Sequence, residues 1–342
     1  MTATTTTHGP ADSVVIRTRR SLMRGLVHYR ETIAVLVALV LTLVFAVTTN
    51  GVFLNHANMV SVTHVTAVLA IIAIGQSLVI CAGEIDISVG SIFAMGAMTF
   101  LALAPEFGVF AAVGTALLVG FMIGAFNGYL VAYLGIPSLI ITLSSLFIFR
   151  GIAYMLVQDG ALRIPLAERL AMDGYLAFGS GTFFGFNNSV LWMLAFMVVL
   201  HLVMFTMPFG NRLLAVGGDA KSATSRGVRV RRVKLTAFIV VGLCAAFAGI
   251  LEANKVGYAD GTTGRLMELE AIAACVVGGC ALAGGRMSII GTIAGAFILA
   301  SIQSYLVITG TTPQLYLVVM ATFVICAALL DARVRQWALR LR

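Results

Sequence analysis

Apolar stretches of roughly 20 residues recur along the chain from about residue 31 to 331, separated by short polar or glycine-rich interruptions. A helix needs about 20 such residues to cross a hydrocarbon core some 30 Å thick. Windows of that kind fall at 31–49, 59–82, 90–104, 109–133, 138–157, 190–207, 235–253, 270–283, 289–309 and 313–331. The pattern predicts an all-α, polytopic helical bundle with about ten transmembrane spans. The third and eighth windows are short, and each is expected to be either a short span or a broken, re-entrant element buried in protein.

The polar intervals divide the chain into a basic N-terminal tail (1–30), a transmembrane domain (31–331) and a basic C-terminal tail (332–342). Met1 to Ser13 is small, polar and Thr-rich, with too little apolar surface to offset ordering entropy, so disorder is expected there. Spans two to five (59–157) and seven to ten (235–331) have nearly equal extent. Each block has a glycine-rich interruption, GEIDISVG at 83–90 and GGCALAGGR at 278–286. One block would start after one span and the other after six, so they begin from opposite sides and predict an inverted repeat. Gly120, Gly124 and Gly128 recur at four-residue spacing, as do Gly291 and Gly295, which predicts close helix packing.

Composition turns these windows into a membrane assignment. The chain is 60% hydrophobic and 11% charged with a mean hydropathy of +1.02, whereas ordinary soluble domains carry about 25% charge. The net charge of +8 is concentrated: 16 of the 22 basic residues lie in the two tails and in the loop 208–234. That is the positive-inside pattern, so all three segments are expected in the cytoplasm and 158–189 on the outside. No nucleic-acid motif accompanies the basic residues, so a nucleic-acid partner is not expected. The first apolar run continues to Thr48, Thr49 and Asn50 without an A-x-A site, so it reads as a retained span and not a signal peptide.

Enzymatic chemistry is not indicated. Cys81, Cys244, Cys275, Cys280 and Cys326 sit inside apolar runs without metal-like spacing. AVGGDAKS at 215–222 imitates a phosphate-binding loop, but Ala215 and Ala220 occupy both glycine positions. His56 and His64 lack a ligand set, and NNS at 187–189 fits a glycosylation sequon that is frequent by chance. No metal or cofactor is expected.

Five polar residues within or between spans are candidates for a translocation pathway or a helix break: Gln76, Glu84, Asp86, Asn127 and Arg150. Carboxylates at membrane depth cost about 2.5–3.5 kcal/mol on insertion scales. Glu84 and Asp86 therefore either sit at the cytoplasmic boundary, solvated or capping the next helix, or fold inward along a polar path. Arg150, two thirds through the fifth span, either snorkels outward or anchors polar groups between helices. Gln76, Asn127 and Gln303 suit interhelical hydrogen bonding.

Three stretches carry a resemblance: FLNHANMVSVTHVTAVLAIIAIGQSLVICAGEIDISVGS, AVGGDAKSATSRGVRVRRVK and LEAIAACVVGGCALAGGRMSIIGTIAGAFIL. Together they resemble the permease subunits of bacterial ABC importers of the ribose, xylose and arabinose type, in order and from about residue 31 to 331. The resemblance implies a type II importer-like permease in the bacterial inner membrane with both termini cytoplasmic. Its implied partners are a second permease copy or related permease, a cytoplasmic ABC ATPase and a periplasmic substrate-binding protein. The implied solute is a sugar-like small molecule, with a furanone-like signal, a polyol or a nucleoside as variants.

The resemblance also places an ATPase-coupling element in the loop, at Gly217, Gly218, Asp219, Ser222, Ala223 and Gly227. Asp219 replaces the family's usual asparagine, Ser222 and Ala223 stand for two alanines, Thr224 for arginine and Arg226 for serine. Arg229 to Lys234 are expected to hold the seventh span at the cytoplasmic surface. The competing reading is a secondary transporter in which Glu84 or Asp86 carries a proton.

Overall fold

A computed structural model describes residues 30–157, 160–312 and 314–339. The Thr-rich stretch 1–13 lies outside the described residues. The chain is overwhelmingly helical, with α1 at Arg30–Thr48, α2 at His56–Cys81, α3 at Val89–Phe107, α4 at Val109–Ala132 and α5 at Ser138–Leu156. A mostly irregular segment follows, with β1 (Ala161–Arg163), α6 (Leu166–Ala171), β2 (Thr182–Phe183) and β3 (Phe186–Asn187). Next come α7 (Asn188–Thr206), α8 (Pro208–Gly218), α9 (Ala220–Ser225), α10 (Val230–Val256), β4 (Tyr258–Asp260), α11 (Met267–Val277), α12 (Ile289–Ile308) and α13 (Gln314–Leu339).

Eight of the described helices are long and apolar enough to span a membrane, and in α13 the apolar run covers Gln314–Cys326. The eighth window is where ten spans do not materialise as ten long helices. It shrinks to α11, whose 11 residues rise only about 16 Å at 1.5 Å per residue. Polar irregular backbone lies on both sides of it, from Gly261 to Leu266 and from Gly278 to Ser288. The third window, in contrast, forms a full 19-residue helix.

Helix α2 is the axis of the bundle: every residue from Thr66 to Cys81 is buried, which is why its apolar residues show no preferred face. It runs antiparallel to α10, with His64 beside Glu252 near one end and Gly75 against Val241 and Cys244 further along. The order long helix, break, helix, helix, helix thus occurs twice, starting from opposite ends of the bundle. The break in the second half that corresponds to GEIDISVG is the segment after α10, ending at Leu266. GGCALAGGR is a further interruption, beyond α11.

The glycine stripe on α4 packs against α10. A Cβ on Gly120 would lie 2.6 Å from the Gly242 carbonyl oxygen, and one on Gly124 or Gly242 would collide with backbone across the same seam. Gly295 and Gly291 make the same close approach to Ala274 and Gly278. At the end away from the basic loop, Asn254 ties the irregular 160–187 segment to α10. Its Nδ2 donates to the Tyr175 carbonyl at 3.0 Å, its Oδ1 accepts from Ser180 N–H at 2.7 Å, and the Tyr175 hydroxyl donates to its carbonyl at 2.7 Å.

Overpacking such a seam costs about 1–3 kcal/mol, so Gly242→Ala is expected to lower the thermal unfolding midpoint in detergent. Gly114 lies on the same pair of connected helices but faces open space. There, Gly114→Ala should leave the midpoint unchanged or raise it, since alanine is favoured by up to about 1 kcal/mol in a helix. Equal midpoints for the two variants would contradict the seam.

Candidate functional site

The first break begins where Gly83 adopts φ +80°, a conformation that costs glycine little and ends α2 sharply. The chain then turns into the bundle. Ile85 N–H donates to Ser138 Oγ at 3.3 Å, and the Thr142 hydroxyl approaches the Ile85 carbonyl at 3.4 Å. Asp86 is fully buried. Its Oδ1 accepts from Ser88 N–H at 2.8 Å and from the Ser88 hydroxyl at 2.6 Å. Ser88 Oγ in turn accepts from Asn127 Nδ2 at 2.9 Å, and the Ser145 hydroxyl donates to Asn127 Oδ1.

This chain of hydrogen bonds joins the start of α3 to α4 and α5. It settles the two carboxylates differently. Glu84 is only partly buried and pairs with Lys234 at the base of α10, whereas Asp86 lies inside the bundle and is not solvated. A carboxylate so placed needs donors: Ser88 supplies two to Oδ1, while Oδ2 makes no hydrogen bond among the described residues.

The second break enters from the other end. Gly257, at φ +70°, ends α10, β4 pairs antiparallel with β1, and the chain dips inward to Leu266. Arg150 meets it there, donating to the carbonyls of Thr263, Gly264 (3.2 Å) and Gly261 (3.5 Å). Arg150 is therefore an anchor between elements and does not snorkel. Leu266 adopts φ +70°, a strained conformation for a branched side chain.

The two breaks touch. A Cβ on Gly90 would lie 2.6 Å from the Gly264 carbonyl oxygen and would also run into the Glu268 carboxylate, while one on Gly264 would lie 2.5 Å from the Gly90 carbonyl oxygen. Beside this contact a pocket of about 210 Å³ is lined by Arg150, Tyr154, Arg265 and Glu268 together with Leu146, Phe147 and Leu266. It is smaller than the roughly 300–1,000 Å³ of an enclosing ligand site.

The basic loop folds into α8 and α9. Asp219, between them, caps α9: Oδ1 accepts from Lys221 N–H at 2.9 Å and Ser222 N–H at 3.3 Å, and Oδ2 accepts from the Ser222 hydroxyl at 2.6 Å. The Ser222 hydroxyl, with the two amides, holds this carboxyl below the usual range. Gly217 is wedged against the Cys81 carbonyl and Gly285, and Gly285 N–H donates to Cys81 O at 2.9 Å. Gly218 and Gly227 face open space, the latter at φ +81°, and Ala223 is buried. The segment α8–α9 thus sits on the last turn of α2, immediately before the first break, and on the loop that follows α11.

Of the three uncharged candidates, only Asn127 bridges helices. Gln303 is exposed, and neither amide atom of Gln76, though buried, makes a hydrogen bond among the described residues. A cluster not anticipated from sequence joins three helices: His64 Nδ1 contacts Ser189 Oγ at 2.8 Å and its Nε2 contacts Glu252 at 3.0 Å. Only the antiparallel pairing of α2 and α10 signals that contact, because its partners lie 188 residues apart.

Residues 58–328 match the family described as branched-chain amino acid transport system / permease component. The chain belongs to this permease family. It is 37% identical over 244 residues to the autoinducer 2 import system permease protein LsrC of Yersinia pseudotuberculosis serotype O:1b (strain IP 31758), covering 70% of this chain and 67% of that protein. It is 32% identical over 298 residues to the ribose import permease protein RbsC of Escherichia coli (strain K12), covering 86% and 92%. No solved structure matches the permease. Its family and its long apolar helices make it a multi-pass membrane protein of the ABC permease class.

Asn127→Leu keeps the bulk but strands the Ser145 hydroxyl and takes one donor from Ser88 Oγ, which keeps its bond to Asp86, and an unsatisfied buried group costs about 1–3 kcal/mol. A lower unfolding midpoint in detergent is expected, against no change for Ser144→Ala, whose exposed hydroxyl bonds only its own helix. If both variants unfold with the wild type, the network is not holding the break.

Proposed function

We propose that this permease is the membrane-spanning subunit of an ATP-driven, binding-protein-dependent importer that moves a monosaccharide or similar small polar solute into the cytoplasm by alternating access. The observation that carries the reading is the meeting of two breaks from opposite ends of the bundle, at Gly90 and Gly264, beside a small pocket where Arg150 and Glu268 stand among apolar side chains. Broken spans of this kind place polar backbone at membrane depth where a solute can use it. The printed names of the relatives, one a ribose and one an autoinducer 2 import permease, favour a small polar solute.

In this reading the chain does no chemistry itself; a cytoplasmic ATPase hydrolyses ATP and a periplasmic protein delivers the solute. The protein lies in the inner membrane with both termini cytoplasmic, as a dimer with a second copy or a related permease. The motor docks on α8–α9, whose exposed residues include Gly218, Asp219 and Ser222. Movement there passes through Gly217 to the end of α2, and so to the first break, and through Gly285 to the loop after α11. The proton-carrier alternative has less support, because Glu84 is paired with Lys234 and Asp86 is bonded to Ser88 away from solvent.

The test is ATP-dependent uptake of labelled pentoses and related solutes by liposomes containing the permease, the ATPase and the binding protein encoded beside it. Removing an N-cap costs about 1 kcal/mol, and asparagine caps as well as aspartate. Asp219→Ala should therefore lower uptake several-fold, while Asp219→Asn keeps it. Full uptake by Asp219→Ala would remove the docking assignment. Uptake by the permease alone, driven by a pH gradient, would overturn the importer reading itself.

A further inference from the structure

Arg229, at the N-cap of α10, and Arg232, Thr236, Val240, Leu243 and Phe247 recur at three- or four-residue intervals and share a single stripe, and all six line cavities. Arg229, Arg232 and Thr236 are exposed and Val240 and Leu243 half-buried, whereas Phe247 is buried against Trp192 and Phe196. At the basic end, a cavity of about 630 Å³ is walled by Arg212 of α8, Arg226 in the turn after α9, and Arg229 and Arg232. No carboxylate lines it, and among the described residues none of these four arginines is in an ion pair. Their basic neighbours are used elsewhere: Arg231 lies 6.0 Å from the Tyr133 ring, and Lys234 pairs with Glu84.

Further along the same stripe, a cavity of about 620 Å³ opens between α10, α7 and α4, with Trp192 and Phe196 on one side and Leu117 on the other. Its wall is apolar, since the Trp192 ring N–H is already spent on the Ala177 carbonyl at 3.0 Å. From Arg229 to Leu243 the stripe runs about 21 Å at 1.5 Å per residue. One leaflet measures roughly 20–22 Å from its polar surface to the bilayer midplane.

We propose that this groove holds one anionic phospholipid, its phosphate among Arg212, Arg226, Arg229 and Arg232 and one acyl chain along Val240 and Leu243. Guanidinium groups match phosphate oxygens in geometry as well as charge, and basic recesses at the cytoplasmic ends of helices suit acidic headgroups. The continuity of charged and apolar sections favours a lipid over an acidic protein segment, which would occupy the basic end and leave the apolar length open.

The test is native mass spectrometry of the full-length permease released from detergent micelles doped with dioleoyl phosphatidylglycerol or dioleoyl phosphatidylcholine. One phosphatidylglycerol per chain is expected, retained at least tenfold more than phosphatidylcholine. The double variant Arg229→Gln, Arg232→Gln should lose about tenfold of that retention. Leu243→Trp, which fills the apolar length and keeps every arginine, should lose a similar amount, while Arg231→Gln should lose none. Equal retention of the two lipids, or an equal loss from Arg231→Gln, would overturn the site. Unimpaired binding by Leu243→Trp, or displacement of the lipid by soluble glycerol phosphate at equal concentration, would reduce it to an anion pocket. Release of the lipid on adding the partner ATPase would assign the basic end to the motor.

Discussion

The guanidinium of Arg150 holds backbone that has no helix of its own. Between Gly257 and Met267 the chain leaves helical geometry inside the bundle, and carbonyls exposed there would be stranded without water. Arg150 reaches them from a neighbouring helix and accepts that role for Gly261, Thr263 and Gly264 together. The expense of placing an arginine within an apolar helix is thus offset by the polar groups it satisfies. Glu268, close by, lines the same pocket, and the close contact of Gly90 with Gly264 fits only because neither residue has a side chain.

From that junction the rest of the architecture follows. The first break is stabilised within its own half of the bundle by Asp86, Ser88, Asn127 and Ser145, a set of short side chains joined by hydrogen bonds without bulk. The two halves run in opposite directions about α2 and α10, and glycine at Gly120, Gly124 and Gly242 lets α4 approach α10 closely enough to hold the frame rigid. The segment α8–α9 rests on the end of α2, just before the first break, and on the loop that follows α11.

Much of this was legible in the chain. Long apolar windows located the eight spanning helices and the shorter apolar run of α13, and the four-residue glycine spacing predicted close helix packing, which the structure places at the α4–α10 and α11–α12 seams. Arg150 and Asn127 stood out because polar groups are costly in apolar helices, and both bridge elements. The failures also have physical reasons. The eighth window, 270–283, has Glu270 at its edge and is apolar from Ala271 to Ala283 apart from two glycines, so hydropathy could not reveal that irregular backbone at Gly261–Leu266 precedes a helix of only 11 residues. GGCALAGGR drew attention through its glycines, whereas the break equivalent to GEIDISVG holds its shape with Leu266 at positive φ and a borrowed arginine. Gln76 and Gln303 looked like Asn127 by composition, and only packing separates a bridging amide from an unpartnered or an exposed one. His64, Ser189 and Glu252 meet through tertiary pairing that no local pattern carries.

The central claim is that Arg150 holds the second break in its folded path. Amide hydrogen exchange of the purified permease and of Arg150→Met tests it most directly. Exchange in peptides covering 261–270 should accelerate at least tenfold in the variant, while peptides from the core of α10, 237–250, keep their protection. Unchanged exchange across 261–270 would show that the break stands without Arg150, and would contradict the account.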